Sequence, residues 1–143
     1  MKKKLGFTLI EILVVATIIG LLTAIGSSSY SQFTKQSRDA KRKADLESIR
    51  AALEMYRSNH SYYPSALSTL TSASEQYMSS VPTDPLADRT YAYKYNPLPA
   101  SCTTACTDYT LGAYLENSST CVISAGSCTV GVCNYCVGPY GKK

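Results

Sequence analysis

Residues Phe7 to Ile25, "FTLIEILVVATIIGLLTAI", form an apolar run of 19 residues interrupted by a single carboxylate, Glu11. A run of that length is close to what an α-helix needs to span the hydrocarbon of a bilayer. A carboxylate at the bilayer centre costs at least about 2.5 kcal/mol, so Glu11 requires a reason. Directly ahead of the run stands a basic block, Lys2, Lys3 and Lys4. Lysines before an apolar segment stay on the cytoplasmic side, which sends the remainder of the chain across the membrane. The same block accounts for most of the formal net charge: without those three lysines, +4 becomes +1. A nearly neutral remainder gives no strong signal for nucleic acid.

A secretory signal peptide would have the basic start and a short apolar stretch, then small residues at a cleavage site. "GSSS", Gly26 to Ser29, supplies small residues, but a signal peptide's apolar stretch should hold no acid. A plain transmembrane anchor fits the length and leaves Glu11 equally unexplained. The stretch "KKKLGFTLIEILVV" has further fixed elements: a short basic leader, then Gly6, Phe7, and Glu11 four residues after the phenylalanine.

In these elements the sequence resembles the class III signal sequence of type IV pilins and of the pseudopilins of type II secretion. The resemblance implies cleavage between Gly6 and Phe7 by a prepilin peptidase, N-methylation of Phe7, and delivery to an inner-membrane assembly platform. It also gives Glu11 a role. A new α-amino group at Phe7 would sit at a helix start whose uncapped N–H groups carry partial positive charge. Glu11 of one subunit can pair with the amino terminus of its neighbour, and pairing is how a buried charge is tolerated. The residue then reports correct register during assembly. Many pilins carry a helix-disrupting proline where this chain has Ser28, a departure that leaves local melting during assembly open.

Beyond the run, "FTKQSRDAKRKADLESIRAALEMYRSN" continues in helical rhythm, with Leu46, Ile49, Leu53 and Tyr56 at spacings of three and four. The two halves predict one helix of about 50 residues, roughly 75 Å long, apolar first and amphipathic second. The basic cluster from Lys35 to Lys43 is interleaved with Asp39, Asp45 and Glu47. It reads as a solvated face that makes salt bridges with neighbouring subunits, in preference to a lipid-headgroup or DNA contact.

Pro64 closes the helical region, and a short helix is expected around Ala66 to Leu70. Tyr91, Tyr93 and Tyr95 alternate as a strand requires, followed by strand candidates Asp108 to Asn117 and Cys128 to Cys136. These predict a small antiparallel sheet packed on the helix. The Tyr-Pro pair, the Pro-x-Asp-Pro stretch and the Tyr-x-Tyr strand are similar to those of the major pseudopilins. In some pseudopilins a calcium ion is bound, which makes Asp84 and Asp88 weak candidates. Two carboxylates fall short of the six to eight oxygens that calcium takes, so no metal is expected.

Six cysteines, Cys102, Cys106, Cys121, Cys128, Cys133 and Cys136, lie in the last third. In an exported domain with a small core they read as a disulfide framework whose connectivity the sequence leaves open. Cys102 with Cys106, and Cys121 with Cys128, are easy local closures, whereas a Cys133–Cys136 bridge would strain a regular strand. A zinc module would use the same C-x-x-x-C and C-x-x-C thiolates, and a redox module would use "CNYC". Catalysis finds little support: His60 is the only histidine, read as a capping or surface residue, and no nucleophile or phosphate-loop motif is present. The twelve tyrosines read as strand formers that fill a small core and lattice contacts.

The expectation is an α+β chain with no cofactor and no enzymatic role. It comprises a leader at 1–6, a transmembrane or filament-core helix at 7–30, and an exported domain at 31–143. As a homo-oligomeric helical filament subunit it would reside in the inner membrane with its C-terminus outside, then in a surface fibre. The alternative within the family is a type II secretion pseudopilin.

Overall fold

The computed structural model describes residues 6–87, 91–100, 102–117, 127–128 and 131–142. The protein is an α+β chain: one helix, α1 (Leu9–His60, 52 residues), followed by short strands. No proline falls within α1, and its glycines, Gly20 and Gly26, sit where an added Cβ would meet nothing within 4 Å. The expected continuity of apolar and amphipathic halves is therefore present. The chain divides into two compact units, the first ending at Lys35 and the second running from Gln36 to Lys143.

The helix ends without a glycine. Ser61 takes a positive φ of 68° and donates its N–H to the Arg57 carbonyl at 2.7 Å, which closes the last turn in a left-handed cap. A side chain in this conformation costs about 1–2 kcal/mol relative to the right-handed region. Ser61→Gly is therefore expected to stabilise the second unit by about 0.5–1 kcal/mol, part of the relief being offset by the greater freedom of glycine in the unfolded chain. The measurement is the thermal midpoint, which should rise by several degrees.

In the second unit, Leu46, Ile49, Ala52, Leu53 and Tyr56 form the buried face of α1. They pack with Tyr63, Leu70, Cys106, Tyr109, Leu111, Ala113 and Val137 in one core. The stripe read from the sequence is thus the core stripe. Two charged residues, Asp39 and Arg42, extend it toward the N-terminus and are also buried.

Four strands make an antiparallel sheet: β1 (Lys94–Leu98), β2 (Asp108–Ala113), β5 (Tyr135–Gly138) and β6 (Gly141–Lys142), in the order β1-β2-β5-β6. Leu111 faces Tyr95 on one side and Val137 on the other. Residues Tyr109 to Ala113 are all buried, so β2 is covered on both faces. The edge strand β1 contains Pro97, which lacks an N–H and is tolerated where no further strand pairs. A separate pair, β3 (Ser127–Cys128) with β4 (Gly131–Val132), completes the described strands.

Three strand expectations shift. The tyrosine strand starts at Lys94, so Tyr91 and Tyr93 precede it. The Tyr93 side chain is used instead as a tether, its hydroxyl donating to Asp45 at 2.7 Å. Strand β2 ends at Ala113 and not at Asn117, because the following residues turn to meet α1 through Asp39. The segment from Cys128 to Cys136 is not one strand but parts of β3, β4 and β5. Asn134 interrupts it, using its side chain to bond the Leu115 N–H and carbonyl at 2.6 and 2.8 Å.

A 3-10 turn at Leu67–Leu70 realises the short helix expected there. An isolated bridge between Tyr63 and Cys106 joins the segment after α1 to the loop before β2, with bonds of 2.8 and 3.2 Å.

Candidate functional site

The first part of the site is the start of α1. Gly6 and Phe7 lie ahead of the helix, and the Phe7 ring is 80% exposed. Thr8 occupies the cap position: its hydroxyl accepts the Glu11 N–H at 3.3 Å while Glu11 Oε2 accepts the Thr8 N–H at 3.5 Å. This reciprocal pair is a capping box, and its S/T-x-x-E signature stands in the sequence as "TLIE", where the sequence reading passed over it. Glu11 caps its own helix loosely, since 3.5 Å is a long hydrogen bond.

From Phe7 to Ile25 every described side chain is exposed, with Leu9 at 84%. This part of α1 is long and apolar enough to cross a membrane. Its remaining polar side chains are satisfied within the helix: the Thr17 hydroxyl donates to the Val14 carbonyl at 2.7 Å and the Thr23 hydroxyl to Ile19 at 2.8 Å. Glu11 is the one acidic residue before Asp39. An apolar cylinder with a single carboxylate near its tip can, by length and composition, enter lipid or a bundle of like helices.

The second part lies in the second unit, where the basic cluster behaves differently from expectation. Arg42 is fully buried. It donates from Nε and Nη2 to the two Asp84 oxygens at 2.8 and 3.1 Å. Its Nη1 serves Asp39 at 2.9 Å and Glu116 at 3.0 Å. Arg38 forms a fork on Glu116 with two bonds of 2.6 Å. Asp39 in turn accepts the backbone N–H groups of Glu116 and Asn117, each at 2.9 Å. These arginines bind within their own chain, so the cluster from Lys35 to Lys43 is not simply a solvated face reserved for neighbouring subunits. The physical reason is position. Asp39 and Arg42 continue the three-and-four spacing of Leu46, Ile49 and Leu53, which points them at the sheet side.

Burial acts to lower the Arg42 pKa, and the bonds to Asp84 and then Glu116 more than offset it, so the net shift is upward. The Arg38 guanidinium holds the Glu116 carboxyl below its usual range, against an opposing effect of burial and with further help from Arg42. A carboxyl depressed in the folded state contributes stability that is present above its unfolded pKa of about 4.3 and is lost as pH falls through the folded value. The thermal midpoint should therefore hold above about pH 5 and drop on further acidification. Glu116→Gln should lower the midpoint near neutrality and flatten the acid limb. A melting series across pH for both proteins checks this.

The other residues singled out from the sequence fall as follows. Cys102 and Cys106 form a disulfide with Cα atoms 5.5 Å apart. Cys133 and Cys136 are disulfide-bonded too, and no described cysteine is free. Cys121 lies outside the described residues, as does Asp88, and the Cys128 side chain is not described. The four thiols that the zinc reading requires are thus engaged as disulfides, which leaves that reading without free thiolates. His60 stacks on Tyr56 with ring centroids 4.2 Å apart, and its Nε2 lies 2.6 Å from Glu75. It belongs to an aromatic cluster with Tyr62 and Tyr77 at the C-terminal end of α1. Tyr63 and Tyr109 share Glu54, both hydroxyls donating to its carboxylate, and burial pushes the Tyr63 phenol up to about 12. Most tyrosines therefore line the core, while Tyr140 is 90% exposed.

Comparison with known proteins places these features in a family. Residues 1–27 match the prokaryotic N-terminal methylation motif. Residues 30–113, more than half of the chain, match the family described as type II secretion system (T2SS), protein G. A type II secretion system core protein G of Pseudomonas aeruginosa is 39% identical over 64 residues, which is 45% of each chain. A fimbrial protein of the same species is 35% identical over 54 residues, 38% of this chain and 35% of its own. A fimbrial protein of Neisseria meningitidis is 33% identical over 60 residues, 42% of this chain and 35% of its own. The chain spans less than half the length of these curated relatives, and no solved structure matches. With the methylation motif at its start and the protein G match over its middle, the chain belongs to the pilin and pseudopilin family.

Proposed function

We propose that this chain is a structural subunit of a type IV pilus-like filament, with no enzymatic role. A prepilin peptidase cleaves it between Gly6 and Phe7 and methylates the new amino terminus. Residues 7–30 hold it in the inner membrane, with residues 31–143 outside, until an assembly platform moves it into a helical homopolymer. The observation that carries the reading is the start of α1, where an entirely exposed apolar helix presents one loosely capped carboxylate. Such a surface is costly in water, at about 25 cal/mol per Å², and it is relieved by packing like helices together. Pairing Glu11 with a neighbour's cationic amino terminus supplies the register.

A second reading, a pseudopilin of a type II secretion system, is favoured by the protein G match and by the Pseudomonas aeruginosa core protein G relative. The two share their maturation and differ in product. Deleting the coding sequence in its host and restoring it separates them. Loss of long fibres from the sheared surface fraction, with exoprotein release intact, supports the pilus reading. Loss of exoprotein release without loss of surface fibres supports the secretion reading.

A further inference from the structure

Some pseudopilins bind calcium, and Asp84 is the described residue that the family resemblance offers for it. The carboxylate does not fit that role in this chain. Both of its oxygens are held by Arg42, and one also accepts the Leu86 N–H at 2.8 Å. The two other carboxylates that reach Arg42 are likewise engaged, Asp39 by two backbone N–H groups and Glu116 by the Arg38 fork. Among the described residues no group of three His, Cys, Asp or Glu side chains could hold a metal ion. A dication brought to Asp84 would also meet a buried guanidinium, which repels it.

We propose that Arg42 takes the place of an exchangeable cation in this chain: it is the fixed positive centre that ties three segments of the second unit together. The segments are α1, through Asp39 and Arg42 itself; the stretch before β1, through Asp84; and the exit of β2, through Glu116 and Asn117. Tyr91 covers the guanidinium, whose carbon lies 5.1 Å from the ring centre. Two features suit a built-in ion better than an exchangeable one. All three guanidinium nitrogens are used, in a planar fork that matches the Asp84 carboxylate. The side chain is fully buried, so its charge is tolerated only because three anions surround it. An exchangeable ion stabilises the native state by RT ln(1 + [L]/Kd), which varies with its concentration. A side chain does not, so the second unit keeps its fold in calcium-poor surroundings.

The test is thermal melting of the full-length protein in detergent, followed by near-UV circular dichroism, in excess EDTA and in excess calcium chloride. The expected result is the same midpoint in both. Arg42→Gln should lower the midpoint equally in both, and Arg42→Lys, which keeps the charge and loses the fork, should lie between it and the wild type. If Arg42→Gln does not yield folded protein, Asp84→Asn takes its place, again with a fall that is equal in EDTA and calcium. The proposal is overturned by a wild-type midpoint that rises with calcium, most directly if Asp84→Asn abolishes the rise. It is overturned equally by an Arg42→Gln or Asp84→Asn midpoint that matches the wild type.

Discussion

Arg42→Met lowers the stability of the second unit by about 3–5 kcal/mol, the cost of removing one partner from a buried ion pair and leaving the others uncompensated. Methionine fills much of the same volume, so the loss is electrostatic and not a cavity effect. Among the described residues, Asp39, Asp84 and Glu116 would then share one ion-paired cation, Arg38 on Glu116. Against a typical total of about 5–15 kcal/mol, such a loss removes a large part of the fold's margin. Urea denaturation of wild type, Arg42→Met, Asp84→Ala and the double variant measures it. Because the pair is in direct contact, the double variant should cost less than the two singles together, with a coupling of about 0.5–3 kcal/mol. Additive losses would show that the two side chains act independently. Replacing the whole cluster by apolar residues of like volume is the complementary experiment, since a buried ion pair need not outperform good packing.

Glu11→Val gives a subunit that still inserts in the membrane, is still cut after Gly6, and fails to polymerise. The substitution makes the apolar run continuous, so membrane insertion becomes easier, not harder. Under the proposed pairing, what is lost is the partner for the neighbouring amino terminus, whose charge would then be left in the apolar core at a cost sufficient to reduce filament yield by at least about tenfold. The capping box goes as well, a smaller effect of helix fraying that Glu11→Gln separates, because glutamine can still cap. Filament recovered by shearing or by cross-linking, normalised to processed subunit, checks both variants. Glu11→Gln should polymerise as poorly as Glu11→Val if charge pairing is the cause. It should polymerise normally if capping is.

The sequence disclosed the long helix because two simple signals agree: an apolar run of membrane length joins a three-and-four repeat, with no proline between Leu9 and His60. The same repeat shows where the reading stopped too early. Asp39 and Arg42 lie on the line of Leu46, Ile49, Leu53 and Tyr56, and the habit of assigning charges to solvent hid them from the core. The partners of Arg42, 42 and 74 residues away in Asp84 and Glu116, are set by tertiary packing, which periodicity cannot report. The capping box of Thr8 and Glu11 is local and legible in "TLIE", where the same carboxylate also stands out as the one charge in an apolar run. The C-terminal third was hardest because its strands are two to six residues long. Over such lengths alternation has little statistical force, and the Asn134 side chain, bonded to the Leu115 backbone, interrupts the strand pattern.

Through Gly6, Phe7 and Glu11 this chain is proposed to enter a membrane-stored, peptidase-processed assembly route. Intact mass of the membrane-extracted protein, with and without reduction and alkylation, tests it most directly. A mass equal to Phe7 through Lys143 plus one methyl group, with all six cysteines taking up alkylating agent only after reduction, is the predicted result. A mass that retains residues 1 to 6, or one that begins after Ser29, would contradict it and leave a plain anchor or a cleaved secreted domain.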